Sequence, residues 1–118
     1  MRSEPEPDAF RIETVRLGQT TLVVVHGELD LATAPQLRET TATANHDNER
    51  LIIDLSQATF IDSVGICALV EAGRRSTHRG IGLDVITTSG SPVERTLTIV
   101  EADSVLPIIH ERDGRLSR

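Results

Sequence analysis

The 118-residue chain contains no tryptophan and no tyrosine, and its aromatic side chains are limited to Phe10 and Phe60. Two aromatics can build neither a stacking platform for nucleic-acid bases nor an interfacial belt for a bilayer. A single cysteine, Cys67, cannot close an internal disulfide. Apolar runs are short, none approaching the roughly 18 residues that a membrane-spanning helix needs. Basic charge is also scarce: 12 Lys and Arg stand against 18 Asp and Glu, a net charge of −6. That is the wrong sign for a protein whose affinity comes from neutralising phosphates, so no direct contact with nucleic acid is expected. The first residues, Ser3-Glu4-Pro5-Glu6-Pro7-Asp8, are acidic and proline-rich where an export signal would be basic and then apolar. The expected compartment is the cytoplasm.

Enough apolar material remains, 38% of residues, to pack one interior, and the length corresponds to one domain. Residues 1 to 9 are too polar to offset their ordering entropy and are expected to form a mobile tail. Phe10, Ile12 and Thr14 then alternate with charged neighbours, Gly18-Gln19 offers a turn, and Leu22-Val23-Val24-Val25 is a continuous apolar run, β-branched from Val23 on, the pattern of a hairpin. Thr33 and Gln36 have capping-box spacing, with Pro35 in the first turn of a helix whose face carries Ala34, Leu37, Thr41 and Ala44. Asn45-His46-Asp47-Asn48 ends it, and Leu51-Ile52-Ile53 begins a short buried strand.

Ser56 to Ile61 reads as a loop into the longest helix, from Asp62 or Ser63 to Arg79, with Ile66, Val70, Gly73 and Thr77 at helical spacing. Cys67 reads as a small buried hydrophobe. Arg74, Arg75, His78 and Arg79 crowd the last turns, where the helix dipole favours cations, as a solvated helix end or a site for an acidic partner. Leu83 to Ile86 is a strand. Ser91-Pro92-Val93-Glu94 opens a third helix with Val93, Leu97 and Val100 on its buried side, and Val105 to Ile109 is the last strand before a charged tail at 110–118. The order predicts one small α/β domain: a mixed, mainly parallel sheet with an N-terminal hairpin, helices packed on it and two parallel crossovers.

The residues offer little for catalysis. His26, His46, His78 and His110 match no metal-ligand spacing, and no glycine loop of the phosphate-cradling kind is present, so neither metal nor cofactor is expected. Ser63 stands in the turn between a buried strand and the longest helix, the end of a parallel sheet where α/β folds place their sites. A serine or aspartate there also serves simply as an N-cap. A hydrolase elbow needs glycine two residues before the serine, and Ile61 holds that position. An exposed serine in such a turn then remains available as a phosphate acceptor, a substrate of another enzyme.

Gly27-Glu28-Leu29-Asp30-Leu31-Ala32-Thr33-Ala34 and Asp54-Leu55-Ser56-Gln57-Ala58-Thr59-Phe60-Ile61-Asp62-Ser63-Val64-Gly65 together resemble the STAS domain, and within it the bacterial anti-sigma-factor antagonists. The similarity covers residues 10 to 109. It implies a module that, when unphosphorylated, binds an anti-sigma factor, a serine kinase with a histidine-kinase-like ATPase fold, and so frees a sigma factor. Phosphorylation at the position of Ser63 breaks that complex, and a serine phosphatase restores it. Asp62 matches the acidic residue beside the family's acceptor, and Asp30 the acidic end of the upstream loop. Asp30, Leu31, Thr33, Asp62, Val64, Gly65 and Ile66 are the candidate partner surface, with Ile66 also readable as core. The chain departs from the family in having Val64 where a second hydroxyl often follows the acceptor, and Glu101 where a small residue often stands. STAS domains also act as non-switching scaffolds and transport-complex subunits, the alternative expectation for this chain.

Overall fold

A computed structural model describes residues 9–44 and 50–111. Among them the chain forms a hairpin of β1 (Arg11–Leu17) and β2 (Thr20–Leu29), then α1 (Ala34–Ala44), β3 (Arg50–Asp54), β4 (Ala58–Ile61), α2 (Ser63–His78), β5 (Leu83–Thr88), α3 (Pro92–Ile99), a 3-10 turn (Ala102–Ser104) and β6 (Ile108–Glu111). The sheet runs β1-β2-β3-β5-β6, with β4 attached to β2. Only β1 is antiparallel to its neighbour; the parallel pairs β2–β3, β3–β5 and β5–β6 require three crossovers, one more than expected. The mixed, mainly parallel α/β sheet with an N-terminal hairpin is as the sequence predicts. The expected helix end at Asn45-His46-Asp47-Asn48 lies outside the described residues, as do nearly all of the 1–9 tail and most of the 110–118 tail. His110 and Glu111 belong to β6, so the last strand continues past the point where fraying was expected.

The hairpin turn places Gly18 at φ +63°, a left-handed conformation that costs glycine nothing. The apolar run Leu22–Val25 is part of a longer strand in which Thr21, Val23, Val25, Gly27 and Leu29 are buried while Leu22, Val24 and His26 are half-buried. Its length follows from serving two parallel partners in succession, β3 along Thr20–Val24 and β4 along Gly27–Leu29. A register irregularity between Gly27 and Glu28 separates them, and Gly27 at φ +88° supplies the bend.

The segment expected to be a loop, Ser56 to Ile61, therefore contains a strand. The buried-exposed-exposed-buried pattern of Ala58–Ile61 has no period of two, and the strand forms because the far half of β2 offers a ladder to pair with. The last strand begins at Ile108 rather than Val105, because Val105 closes the 3-10 turn and Pro107 has no N–H to contribute.

Val23, Val25, Ile53 and Val85 share one core with Leu37 of α1, Leu69 of α2 and Leu97 of α3. The α1 stripe is as predicted: Ala34, Leu37 and Thr41 are buried and Ala44 half-buried. The buried face of α2 is not. Gly65, Ala68, Leu69, Ala72 and Ser76 point inward, whereas Ile66, Val70 and Gly73 are half-buried and Thr77 is exposed. Small residues let this helix lie close to its neighbours, and ranking positions by hydrophobicity selects the flanking Ile and Val instead. Cys67 is accordingly exposed, not a buried hydrophobe. In α3, Val93 and Leu97 are buried, but Val100 is 52% exposed: the helix ends at Ile99, and Glu101, at φ +59°, turns the chain before the next helical position can face inward.

Candidate functional site

Because β2 and β4 run parallel and side by side, the loop after β2 and the start of α2 emerge at the same end of the sheet. The Asp62 N–H donates to the Leu29 carbonyl at 3.2 Å, tying the two strand ends together. Asp62, rather than Ser63, is the N-cap of α2: its Oδ1 accepts from the Gly65 N–H at 2.9 Å. The other oxygen, Oδ2, accepts from the Leu31 N–H at 3.1 Å. One carboxylate thus satisfies an orphan donor of the helix and fixes the neighbouring loop.

That loop has its own lock. Asp30 Oδ1 accepts from the N–H groups of Ala32, at 3.0 Å, and Thr33, at 3.2 Å, and from the Thr33 hydroxyl at 3.0 Å. Thr33 Oγ1 in turn accepts from the Asp30 N–H at 2.8 Å and lies 2.8 Å from the Glu28 carbonyl. The reciprocal box is therefore Asp30 with Thr33, three residues upstream of the expected pairing of Thr33 with Gln36. Aspartate outcompetes threonine for the role because the ionised carboxylate can accept several N–H bonds at once.

Gly65 is buried under this arrangement. A Cβ there would lie 2.6 Å from the Leu29 carbonyl oxygen and 2.9 Å from its Cγ, so the start of α2 can approach β2 this closely only with glycine. Gly65 contributes by setting that approach and presents no side chain of its own. Val64 and Ile66 are half-buried and pack against the core from the first turn, and the Ile66 N–H donates to the Asp62 carbonyl at 2.9 Å.

Ser63 is exposed at the first helical position, immediately after the cap. Apolar side chains stand on the two segments nearest it. Leu31, 71% exposed, occupies the loop that Asp62 holds, and Phe60, 48% exposed, lies on β4 three residues before Ser63. Of the predicted residues, Asp30, Leu31, Thr33, Asp62 and Gly65 are joined through hydrogen bonds or through Leu29, and Ser63, Val64 and Ile66 complete the first turn. Phe60 was missing from the predicted surface. The signal for it was its place as one of two aromatics, inside the most specific motif.

Among the described residues, two histidines pair with carboxylates of neighbouring elements. His26 is 2.5 Å from Glu13 across the hairpin, and His110 is 2.7 Å from Glu94. Among the described residues no group of three or more His, Cys, Asp or Glu is placed to hold a metal ion, and no helix is long and apolar enough to cross a membrane.

A parallel-sheet end with an exposed serine next to a fixed aspartate, a locked neighbouring loop and two projecting apolar side chains defines a protein-binding module. The family model of the STAS domain matches residues 11–113, and the chain belongs to that family. The anti-sigma-F factor antagonist RsfB of Mycobacterium tuberculosis is 28% identical over 124 residues, covering 95% of this chain and 98% of its own. A crystal structure of an anti-sigma factor antagonist from Mycobacterium paratuberculosis superposes with a TM-score of 0.74 at 24% identity, covering 92% of this chain and 91% of that one. The Bacillus cell fate determinant SpoIIAA in its phosphorylated form has the same fold, with a TM-score of 0.62 at 21% identity over 87% of this chain and 93% of that one.

Proposed function

We propose that this chain is an anti-sigma-factor antagonist whose affinity for its partner is switched by phosphorylation of Ser63. The unphosphorylated form captures an anti-sigma factor that is itself a serine kinase, freeing a sigma factor in the bacterial cytoplasm; the phosphorylated form lets go, and a serine phosphatase resets it. The chain is a substrate and ligand in this cycle, not an enzyme. The folded unit starts at residue 10 as expected and ends with β6 at Glu111 rather than at 109, and the partner surface comprises Asp30, Leu31, Thr33, Asp62, Val64, Gly65 and Ile66, to which Phe60 is added. The observation that carries the reading is the exposed Ser63 at the start of α2, next to the Asp62 carboxylate that the Leu31 and Gly65 N–H groups hold in place.

Phosphorylation adds about −1.5 to −2 charges at that point. The helix N-terminus stabilises such a charge by roughly 0.3–1 kcal/mol, so the domain itself tolerates it. Docking does not. Unit like charges about 5 Å apart repel by about 3 kcal/mol at an effective dielectric near 20, and Asp62 cannot swing away without giving up the α2 cap and the Leu31 N–H. A loss of about 2.7 kcal/mol is already a hundredfold in affinity. Drying the phosphate in an interface adds to the penalty.

Incubating the protein with ATP and a candidate anti-sigma kinase, then locating phosphate by mass spectrometry, tests the reading. Modification at Ser63 with loss of the complex is expected. Stable binding without modification would overturn the switch and leave a STAS scaffold or transport-complex subunit.

A further inference from the structure

The cationic end of α2 has no part in the Ser63 switch, and it borders an open groove of about 390 Å³ lined by Val70, Gly73, Arg74, Thr77, His78 and Val105. Its floor is apolar and lacks a side chain at Gly73, where the buried Leu106 approaches the helix: a Cβ there would lie 3.4 Å from Leu106 Cδ2. Val105 is 64% exposed, and Ile99 and Val100, 78% and 52% exposed, precede it on the turn that leaves α3. Solvent-facing apolar side chains of this size, on the connection between α3 and β6 of which Val105 lines the groove, mark an interaction surface.

The charge at the rim indicates what fits. In a chain of net charge −6, Arg74, Arg75, His78 and Arg79 stand within two turns of one helix. Among the described residues other cations are engaged: Arg38 donates to Glu71, Arg50 to Asp84 and Arg95 to the Gly90 carbonyl. Arg75 reaches Thr41 on the α1 side. Arg74 and His78, the two that line the groove, have no ion pair or side-chain hydrogen bond among the described residues. Glu101 lies on the turn after α3, so the basic character belongs to the α2 wall.

We propose that this groove is a second docking surface, which takes an acidic segment bearing apolar side chains from a partner protein. Apolar groups of the segment cover Val70, Gly73 and Val105, and its carboxylates meet Arg74 and His78. Arg74 lies eleven residues beyond Ser63 on α2, about 16 Å along the axis. The groove is therefore set apart from the phosphoacceptor, and this surface does not depend on the state of Ser63. The proposal goes beyond the switch and stands or falls separately from it.

The test is a titration of the 15N-labelled full chain with a short synthetic peptide carrying leucine at helical spacing and glutamate elsewhere, alongside the same leucine pattern with lysine in place of glutamate. Saturable shifts at Gly73, Thr77 and Val105 with the acidic peptide alone are expected. Arg74→Glu should bind it roughly fivefold more weakly, as loss of about 1 kcal/mol implies. Val105→Ser should also weaken binding, and Ser63→Glu should leave it unchanged. All three positions are exposed, and an unperturbed amide spectrum shows that each variant is folded. Equal binding of the lysine peptide, or shifts centred on Leu31 and Ser63, would overturn the proposal. So would shifts in the groove that depend on protein concentration alone, which would place a second copy of the chain there.

Discussion

Asp62 illustrates how much one side chain can organise. Its carboxylate caps α2 and holds the β2–α1 loop at the same time, so Asp62→Ala should cost about 1 kcal/mol for the lost cap and also release the Leu31 amide. Urea denaturation reads the first effect, and faster hydrogen exchange at Leu31 the second. Asp62→Asn, which keeps an acceptor oxygen, should retain most of the cap. Gly65→Ala sets two opposed effects against each other. Helix propensity favours alanine by about 1 kcal/mol, but the new methyl would press on the Leu29 carbonyl at 2.6 Å. Overpacking against backbone costs typically 1–3 kcal/mol, so net destabilisation is expected, seen as a lower denaturation midpoint. Asp62 and Gly65 could both be picked out of the sequence because they stand in a recognisable motif, but what each touches could not: Leu29 and Leu31 are more than thirty residues away along the chain.

Elements differ in how openly the chain announces them. The hairpin, α1 and α3 follow from local signals, a Gly18 turn, a Pro35 first turn and a Ser91 cap whose Oγ accepts from the Glu94 N–H at 3.1 Å. The strand β4 does not, because its four residues lack alternation and exist as a strand only in the company of β2. The buried face of α2 is the other case. Gly65, Ala68, Ala72 and Ser76 are too small or too polar to register as core, yet they allow the close packing that a stripe of Ile66 and Val70 would prevent. That register can be checked by truncation. Leu69→Ala should destabilise by about 2–5 kcal/mol, and Ile66→Ala, from a half-buried site, by clearly less in the same urea titration.

For the whole molecule, the switch and the fold should be separable. Ser63 is exposed, so Ser63→Ala and Ser63→Glu should each stay within about 0.5 kcal/mol of the parent in stability. Binding to the anti-sigma kinase should divide them: Ser63→Ala should hold the kinase and resist release by ATP, while Ser63→Glu binds weakly, as calorimetric titration would show. Equal affinity for both would refute electrostatic release.

The amino-acid sequence by itself determined the class of fold, the family and the place of the serine proposed as the acceptor, since periodicity, capping residues and a compact motif are all local and survive without coordinates. Tertiary structure decided that Asp62 reaches across to Leu31, that Asp30 pairs with Thr33 in place of Gln36, that Phe60 and Cys67 face outward, and that a cationic groove lies along the far half of α2. Each of these depends on which strand end or helix face lies beside which, a relation set by packing between segments distant in the chain, and no window of neighbouring residues contains it.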